Sequence, residues 1–527
     1  MRSFLSILAV SSAASVASAA LRRFDLNITS NLLNPDCHTG LIPAPLVNNQ
    51  FQGPAIRVAQ GDDVEITVRN MMDEPSASTS VHFHGIRQIG TVESDGVPGV
   101  TQIAIPPDES FVYKFRVVGQ TGTYFYHAHV GMQDDTVQGP FIVHPDEESM
   151  PEEMEAHVDE PLQEGPYRYD GERILQLSEW WHQDFMSREQ YYMGEKFVFD
   201  HGADSILLNG RTVHQANYED EEIGMEDDES CMGYSALDVA PGKTYRVRII
   251  GAQTFRTLAL AFAQHKLTII EVDGQLVEPY ETDWLEIGPG QRFSVLLETH
   301  AKPPTRDGLV PIATGYRWRH RAAGGPTENG FAYLRYSEDG MPDLRGVHKP
   351  VLVGKNATAD QDPDWIWPEI TPLVEEPGSA EILSREADRV IKLRSASTKF
   401  ANNQTRYLMN GRMPFNNVFG GHNCLIHPWH THGHSHYLIA SGPGEYDHAL
   451  HKDIRNFPNP VYKDVSLVYP SEADTNGQGC GWTKVRIYAD NPGVWAVHCH
   501  ITSHMMQGKF AVLEESPELI ESHRLYK

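Results

Sequence analysis

Four short histidine clusters constrain this chain more than any other feature. They are His82-Phe83-His84, His127-Ala128-His129, the run carrying His427, His430, His432, His434 and His436, and His498-Cys499-His500 with His504. Together they hold 12 of the 26 histidines. On a β-strand, residues i and i+2 face one side and i+1 the other. Each His-x-His therefore aims two imidazoles at one point, and four such pairs supply more imidazoles than one metal ion uses. In His498-Cys499-His500 both imidazoles point one way and the thiolate the other. His427 bears the same odd–even relation to His430 and His432. Both segments straddle two adjacent sites, and the fold must bring all four clusters together.

Ligand chemistry narrows the metal. Cys499 with His427 and His504 is a one-cysteine, two-histidine set of the blue-copper electron-transfer kind. Zinc accepts the same donors but has no redox chemistry. A thiolate covalently joined to the imidazoles of a second site makes sense where electrons move.

The rest of the sequence reads as β-structure. Short alternating runs such as Val64–Arg69, Thr244–Ile249 and Lys484–Tyr488 are separated by Gly, Pro, Asn and Asp. That is the period-2 pattern of half-buried strands, and many short strands with turn punctuation mean sandwiches or barrels. The expected class is all-β, with domain limits at 21–160, 161–347 and 348–527. The acidic, Pro-bearing stretch 146–166 reads as a linker. An Asn-Gly phrase recurs in Leu207-Leu208-Asn209-Gly210 and Leu408-Met409-Asn410-Gly411, with Val47-Asn48-Asn49-Gln50 as a weaker echo. Repeated units of one sandwich type would explain it. The acidic run Glu219–Glu229 reads as a solvated loop.

Charge and cysteine usage exclude some partners. With 43 Lys+Arg against 71 Asp+Glu, the formal charge is −28. That rules out general nucleic-acid or anionic-membrane binding, which needs a basic face. Residues 1–20, with Arg2, an apolar core from Phe4 to Val10 and a small-residue Ala17-Ser18-Ala19 site, read as a secretory signal peptide. The expected product is secreted and monomeric, with sequons at Asn27, Asn356 and Asn403. Export permits disulfides, so Cys37, Cys231, Cys424 and Cys480 are candidates for pairing.

The chain resembles a multicopper oxidase, the family of laccases, ascorbate oxidases and iron-oxidising ferroxidases. Four motifs occur in order: HFHG at 82–85, GTYFYHAHVGMQ at 122–133, HPWHTHGH at 427–434 and HCHITSH at 498–504. The likeness extends through NQFQGPAIRVAQGD at 49–62, DGVPGVTQ at 95–102, EVDGQLVEPYETDWLEIGPGQR at 271–292 and ADNPGVWAVHCH at 489–500. It implies three cupredoxin-like Greek-key β-sandwich domains and four copper ions: one type 1, one type 2 and a type 3 pair. By motif position, type 1 copper falls to His427, Cys499 and His504. Type 2 falls to His82 and His430. The type 3 pair falls to His84, His127, His129, His432, His498 and His500. His434 and His436 are left for packing or orientation. The resemblance to ascorbate oxidases implies a Cys37–Cys231 disulfide, and Cys424–Cys480 follows only as the remaining pair.

The resemblance also implies the reaction. A small-molecule reductant, phenol-like in a laccase, gives up electrons one at a time near His504. They pass through Cys499, and four of them reduce O2 to water. Asp95 stands at the family position of a carboxylate near type 2 copper and is the expected proton relay; a turn-forming Asp before Gly96 is the plainer reading. Two positions depart from the family. Lys509 replaces the usual Met, Leu or Phe at the type 1 axial position. As an ammonium it raises the copper potential, as a neutral amine it ligates, and otherwise it turns to solvent. Thr502 stands where some relatives carry an acid. Glu179-Trp180-Trp181-His182 resembles the aromatic substrate wall of ascorbate oxidases, although a buried Trp pair fits equally. Ascorbate oxidase, ferroxidase and a non-catalytic copper-binding electron carrier remain the alternatives to a laccase-like enzyme.

Overall fold

A computed structural model describes residues 19–38, 40–74, 77–198, 202–214, 231–317, 330–336, 344, 365–410, 425–470 and 481–520. Residues 1–18 of the expected signal peptide, the sequon at Asn356, the run Glu219–Glu229, Cys424 and Cys480 lie outside the described residues.

The described residues form three successive two-sheet β-sandwiches. In the first, one sheet has the order Ile42–Val47, Leu21–Leu33, Asp63–Met71, Ser110–Arg116. The other has the order Ile56–Ala59, Gln138–His144, Gly122–Ala128, Val81–His84. The strand Asp63–Met71 alternates buried and exposed as its sequence predicts. Its Val64, Ile66 and Val68 pack with Phe83, Tyr126 and Phe141 of the facing sheet. The middle sandwich pairs a seven-stranded with a five-stranded sheet. The third pairs the sheet Val465–Val468, His427–Thr431, Gly493–Cys499, Phe510–Glu515 with Tyr462–Lys463, His436–Gly442, Trp482–Ile487. No helix among the described residues is long and apolar enough to cross a membrane.

The Asn phrase marks one device used once in each sandwich. Asn48, Asn209 and Asn410 all have positive φ, at 51°, 48° and 52°. Asn tolerates this conformation because its short amide can bond the backbone locally. Each side-chain Oδ1 accepts a backbone N–H 2.8 Å away, from Asn27, Gln176 and Arg394 respectively. Each Asn backbone N–H returns a bond to the carbonyl of that same residue, at 2.8, 2.9 and 2.8 Å. The Asn amide thus clamps a neighbouring strand in the same way three times.

Two expectations change. The strand Thr244–Gly251 is not half-exposed: its polar positions Arg246 and Arg248 are fully buried. They pair with Glu164, Glu172 and Glu271, so the second face of this strand is covered by ion pairs rather than water. The stretch 146–166 is also not a bare linker. His157–Val158 adds to the middle sandwich by pairing with Glu172 and Arg173.

The expected disulfide Cys37–Cys231 is present and ties the loop after the first long strand to the middle sandwich across 194 residues of sequence. In the chain-entropy picture, closing a loop of that length stabilises the fold by about 5 kcal/mol. Replacing both cysteines by serine should lower the urea midpoint by about 3–5 kcal/mol equivalent, read by tryptophan fluorescence; an unchanged midpoint counts against this cross-link.

Candidate metal centre

Strand register assembles the site. Val81–His84 pairs with Gly122–Ala128 so that His82 faces His127. His427–Thr431 pairs with Gly493–Cys499 so that His430 faces His498 and Trp429 faces Cys499. Strand parity then does what the sequence requires. His427 and Cys499 turn to one side, and His430, His498 and His500 to the other.

On the first side, Cys499 Sγ lies 3.6 Å from His427 Nδ1 and 3.9 Å from His504 Nδ1. His504 comes from the short helix Thr502–Met506, which follows the strand at once. Trp181, Ala203, Phe255, Ile501 and Trp429 wrap Cys499 in apolar surface. Trp180 and Trp181 are both buried, and Trp181 packs inside against Cys499. The open aromatic wall is therefore not what this Trp pair forms. Lys509 does not turn to solvent. It is 5 % exposed, and its Nζ lies 2.9 Å from His427 Nε2 and 3.1 Å from Nδ1. The same Nζ stands 4.3 Å from the Tyr407 ring centre.

On the other side, all eight remaining imidazoles are buried. They fall into two triads, His84/His127/His500 and His129/His432/His498, while His82 and His430 approach each other to 3.4 Å between Nε2 atoms. Four ligands come from the first sandwich and four from the third. The hydrogen-bond partners set the tautomers. Nδ1 of His82, His127, His430 and His498 meets the backbone oxygens of Asp95, Ala128, Asp464 and Cys499 at 2.6, 2.8, 3.1 and 3.0 Å. His432 Nδ1 meets Asp95 Oδ2 at 3.0 Å. An oxygen there can only accept, so Nδ1 carries the proton and the Nε2 lone pair is free.

Those lone pairs point at one another. His432 and His498 Nε2 lie 2.9 Å apart, and His129 Nε2 is 3.4 Å from His498 Nε2. His127 Nε2 is buried with no hydrogen-bond partner. Opposed lone pairs repel unless a cation sits between them, so this donor set fits copper ions. Burial first, and neighbouring imidazoles second, keep the rings neutral. These effects push His498 down to about 4 and His127 to about 3. His84, His129, His430, His432 and His500 fall well below the ordinary histidine value for the same reasons.

Asp95 reaches two ligands at once: its carboxylate lies 3.0 Å from His432 and 3.4 Å from His82. The turn reading also holds, since Gly96 has φ +87° and a Cβ there would come 2.1 Å from the Val81 carbonyl. His434 and His436 belong to none of these groups; they bond Glu515 and Ser466, each at 2.7 Å.

Sequence reasoning missed three participants. Asp464 accepts from His84 at 3.1 Å and from Arg292 at 2.6 and 2.7 Å. Tyr407 stacks near Lys509. Asp134, fully inside, accepts a hydrogen bond from Thr502, so a carboxyl absent at position 502 is supplied from the first sandwich. All three partners are distant in sequence, and no local spacing marks them.

Comparison with known proteins agrees with this geometry. Multicopper oxidase family models match residues 27–148, 171–338 and 377–519. The chain is 29 % identical to an L-ascorbate oxidase of Brassica rapa subsp. pekinensis, covering 97 % of this chain and 94 % of that protein. It is 30 % identical to Laccase-2 of Cryptococcus neoformans var. grubii, covering 95 % of this chain and 85 % of that one. Among solved structures, Fet3p, described as a multicopper oxidase that functions in iron import, aligns with TM-score 0.71 and 25 % identity over 94 % of this chain and 91 % of its own. The laccase of Botrytis aclada shares the fold, with TM-score 0.72 at 23 % identity over 96 % and 90 % of the two chains. The chain belongs to the multicopper oxidase family: it is a copper-dependent oxidoreductase, built of three cupredoxin-like domains, that uses O2 to oxidise small-molecule reductants.

Proposed function

We propose that this chain is a secreted, monomeric, laccase-like oxidase of phenolic reductants. Type 1 copper would be held by His427, Cys499 and His504, and type 2 by His82 and His430. The type 3 pair would be held by His84, His127 and His500 on one side and His129, His432 and His498 on the other. When bound, four coppers supply one-electron oxidation of the reductant and four-electron reduction of O2 to two waters. The observation that carries the oxidase reading is the complete eight-imidazole set behind Cys499; an electron carrier needs only the Cys499 side. Cys499 is covalently continuous with His498 and His500, which gives a bonded path between the two sides.

Two observations support a phenol over ascorbate. Trp180 and Trp181 are 4 % and 8 % exposed, and Arg188 covers a Trp181 face at 3.4 Å, so the pair offers little open ring surface. The formal charge of −28 disfavours the approach of an anionic reductant such as ascorbate. Asp95 holds His82 and His432 in register and is the nearest carboxylate for passing protons to the imidazole cluster. Asp134 is a second proton holder. Burial, then the neighbouring Asp135 charge, raises its carboxyl well above the ordinary value, and Thr502, two residues after His500, donates a hydrogen bond to it.

Lys509 distinguishes this type 1 site. Its contact with the Tyr407 ring suits an ammonium, whereas its burial suits a neutral amine. A charge beside copper favours Cu(I) over Cu(II) and raises the potential.

Three outcomes are expected. Oxygen uptake by the copper-loaded protein should be fastest with a phenol, when phenol, ascorbate and Fe(II) are run in parallel. Faster uptake with ascorbate or Fe(II) would overturn the laccase-like reading, and none with any donor would overturn the oxidase reading. Lys509→Leu should lower the type 1 potential in a redox titration of the blue band. A rise would instead mean that a neutral amine ligates copper, and no change would remove Lys509 from tuning. In the copper-free protein His84, His127, His129, His430, His432, His498 and His500 stay neutral when folded and bind protons when unfolded. Stability should therefore fall as pH drops from about 6.5 toward 4, by about 1.4 kcal/mol per pH unit for each such histidine. Urea midpoints that match at pH 7.5 and 5.5 would contradict neutral rings.

A further inference from the structure

A second group of histidines lies outside all the copper ligand sets. Asp36 and His38 flank Cys37 in the loop after the strand Leu21–Leu33. His182 follows the strand Gly171–Trp180, and His214 follows Ser205–Leu208. The ligand atoms of Asp36, His182 and His214 all lie within 4.8 Å of one another. His182 Nε2 is 2.8 Å from Asp36 Oδ2, and Ser205 donates to the same oxygen at 2.6 Å. The His38 ring stacks on His182 at 3.7 Å, and the His182 and His214 rings lie 4.8 Å apart.

The backbone holds these groups in place without help from the side chains themselves. His214 N donates to the Asp36 carbonyl at 2.7 Å, and Thr212 N to the Pro35 carbonyl at 3.0 Å. His182 N donates to Asp204 Oδ2 at 2.7 Å. The Cys37–Cys231 disulfide pins the loop between Asp36 and His38. Asp36 is fully buried, whereas the His182 side chain keeps 18 % of its surface exposed, so the cluster opens to solvent on one side. Burial alone would raise the Asp36 carboxyl. The hydrogen bond and charge of His182, with Ser205 and His214, outweigh it and hold the group ionised below its ordinary value.

Once a cation displaces the proton that the Asp36 carboxylate holds on His182, one carboxylate oxygen and two imidazole nitrogens, converging on a point with an open side, form the donor set of a three-ligand site for zinc. An Asp36–His182 ion pair capped by Ser205 accounts for two of these groups. His214 is brought to the same point by its backbone bond to the Asp36 carbonyl, with its ring edge-on to those of His38 and His182. We propose that Asp36, His182 and His214 form an additional metal site that takes one divalent cation of the zinc type and leaves a fourth position to water. The site joins the first sandwich to the middle one, beside the disulfide that makes the same connection. A cation that binds only the folded chain stabilises it by mass action, so occupancy should reinforce this junction.

Zinc is the probe. The fully copper-loaded protein should take up one further zinc per chain, counted by metal analysis after removal of excess ion, and its thermal midpoint should rise with added zinc. The double variant His182→Asn/His214→Asn should keep its copper content and blue absorbance, which shows that it has folded. It should lose the extra zinc and the zinc-dependent rise. The single variants His182→Asn and His214→Asn provide the same readout if the double variant does not fold. The proposal is overturned if the wild type binds no zinc beyond its copper, or if folded variants retain the same zinc.

Discussion

The Arg292–Asp464 pair is the contact on which the metal centre depends. Among the described residues the middle sandwich contributes none of the eight clustered imidazoles, yet it supplies Arg292, which is fully buried. The guanidinium grips both Asp464 oxygens in the third sandwich and donates from Nε to the Thr123 carbonyl in the first at 3.0 Å. Asp464 in turn receives His84 on its side chain and His430 on its backbone. One ion pair thus fixes the spacing of all three sandwiches and orients a ligand from each ligand-bearing one. Removing either partner would strand a buried charge, at about 3–5 kcal/mol. Gly290, two residues before Arg292, completes the arrangement. A Cβ there would meet His84 and His500 at 2.9 and 3.0 Å, so only glycine lets the middle sandwich lie this close to the cluster.

The same logic explains the other buried charges. Arg246 and Arg248 share Glu164, Glu172 and Glu271, and Glu271 also accepts from Thr123 of the first sandwich at 2.6 and 3.0 Å. A sheet face that would meet water in an isolated domain meets another domain here. Polar residues are retained on it as a matched set of opposite charges. Such a set adds less to net stability than apolar packing does, but it tolerates only one register between domains.

How much of this was legible follows from the range of each interaction. The ligand sets were legible because strand parity is local: the alternation in His498-Cys499-His500 fixes which side each group faces, whatever surrounds it. The repeated turn was legible because the Asn that adopts positive φ is itself visible in the sequence phrase, although the strand it clamps lies 16 to 33 residues away. The Cys37–Cys231 bond came through family likeness alone. Arg292, Asp464 and Asp134 were not legible, because each acts on a partner in another domain and no spacing along the chain records it. Thr244–Ile249 misled as well. Its alternation is real, but a period of two cannot distinguish a face turned to water from one covered by carboxylates that the rest of its own domain brings to it. Trp180-Trp181 had two readings, and the choice rested on which strand lay opposite. Trp181 meets Cys499, a residue at the far end of the sequence.

Copper binding and domain docking are therefore thermodynamically linked in this fold. Four imidazoles come from the first sandwich and four from the third, and the tautomers of five are set before any ion arrives: His127 and His498 by the next residue's carbonyl, His82 and His430 by the carbonyls of Asp95 and Asp464, and His432 by the Asp95 carboxylate. With Nδ1 protons committed outward, the free Nε2 lone pair of His82 in the first sandwich faces that of His430 in the third at 3.4 Å. Metal-free, that contact pushes the two sandwiches apart; with a cation between, it draws them together. Arg292 and Asp464 hold the domains at the ligand distance against this repulsion, so the site is formed in advance rather than assembled around the metal. The free energy of copper binding then appears as cohesion between the first and third sandwiches. That cohesion acts where the chain must exclude water and solvent ions from eight neutral, buried imidazoles.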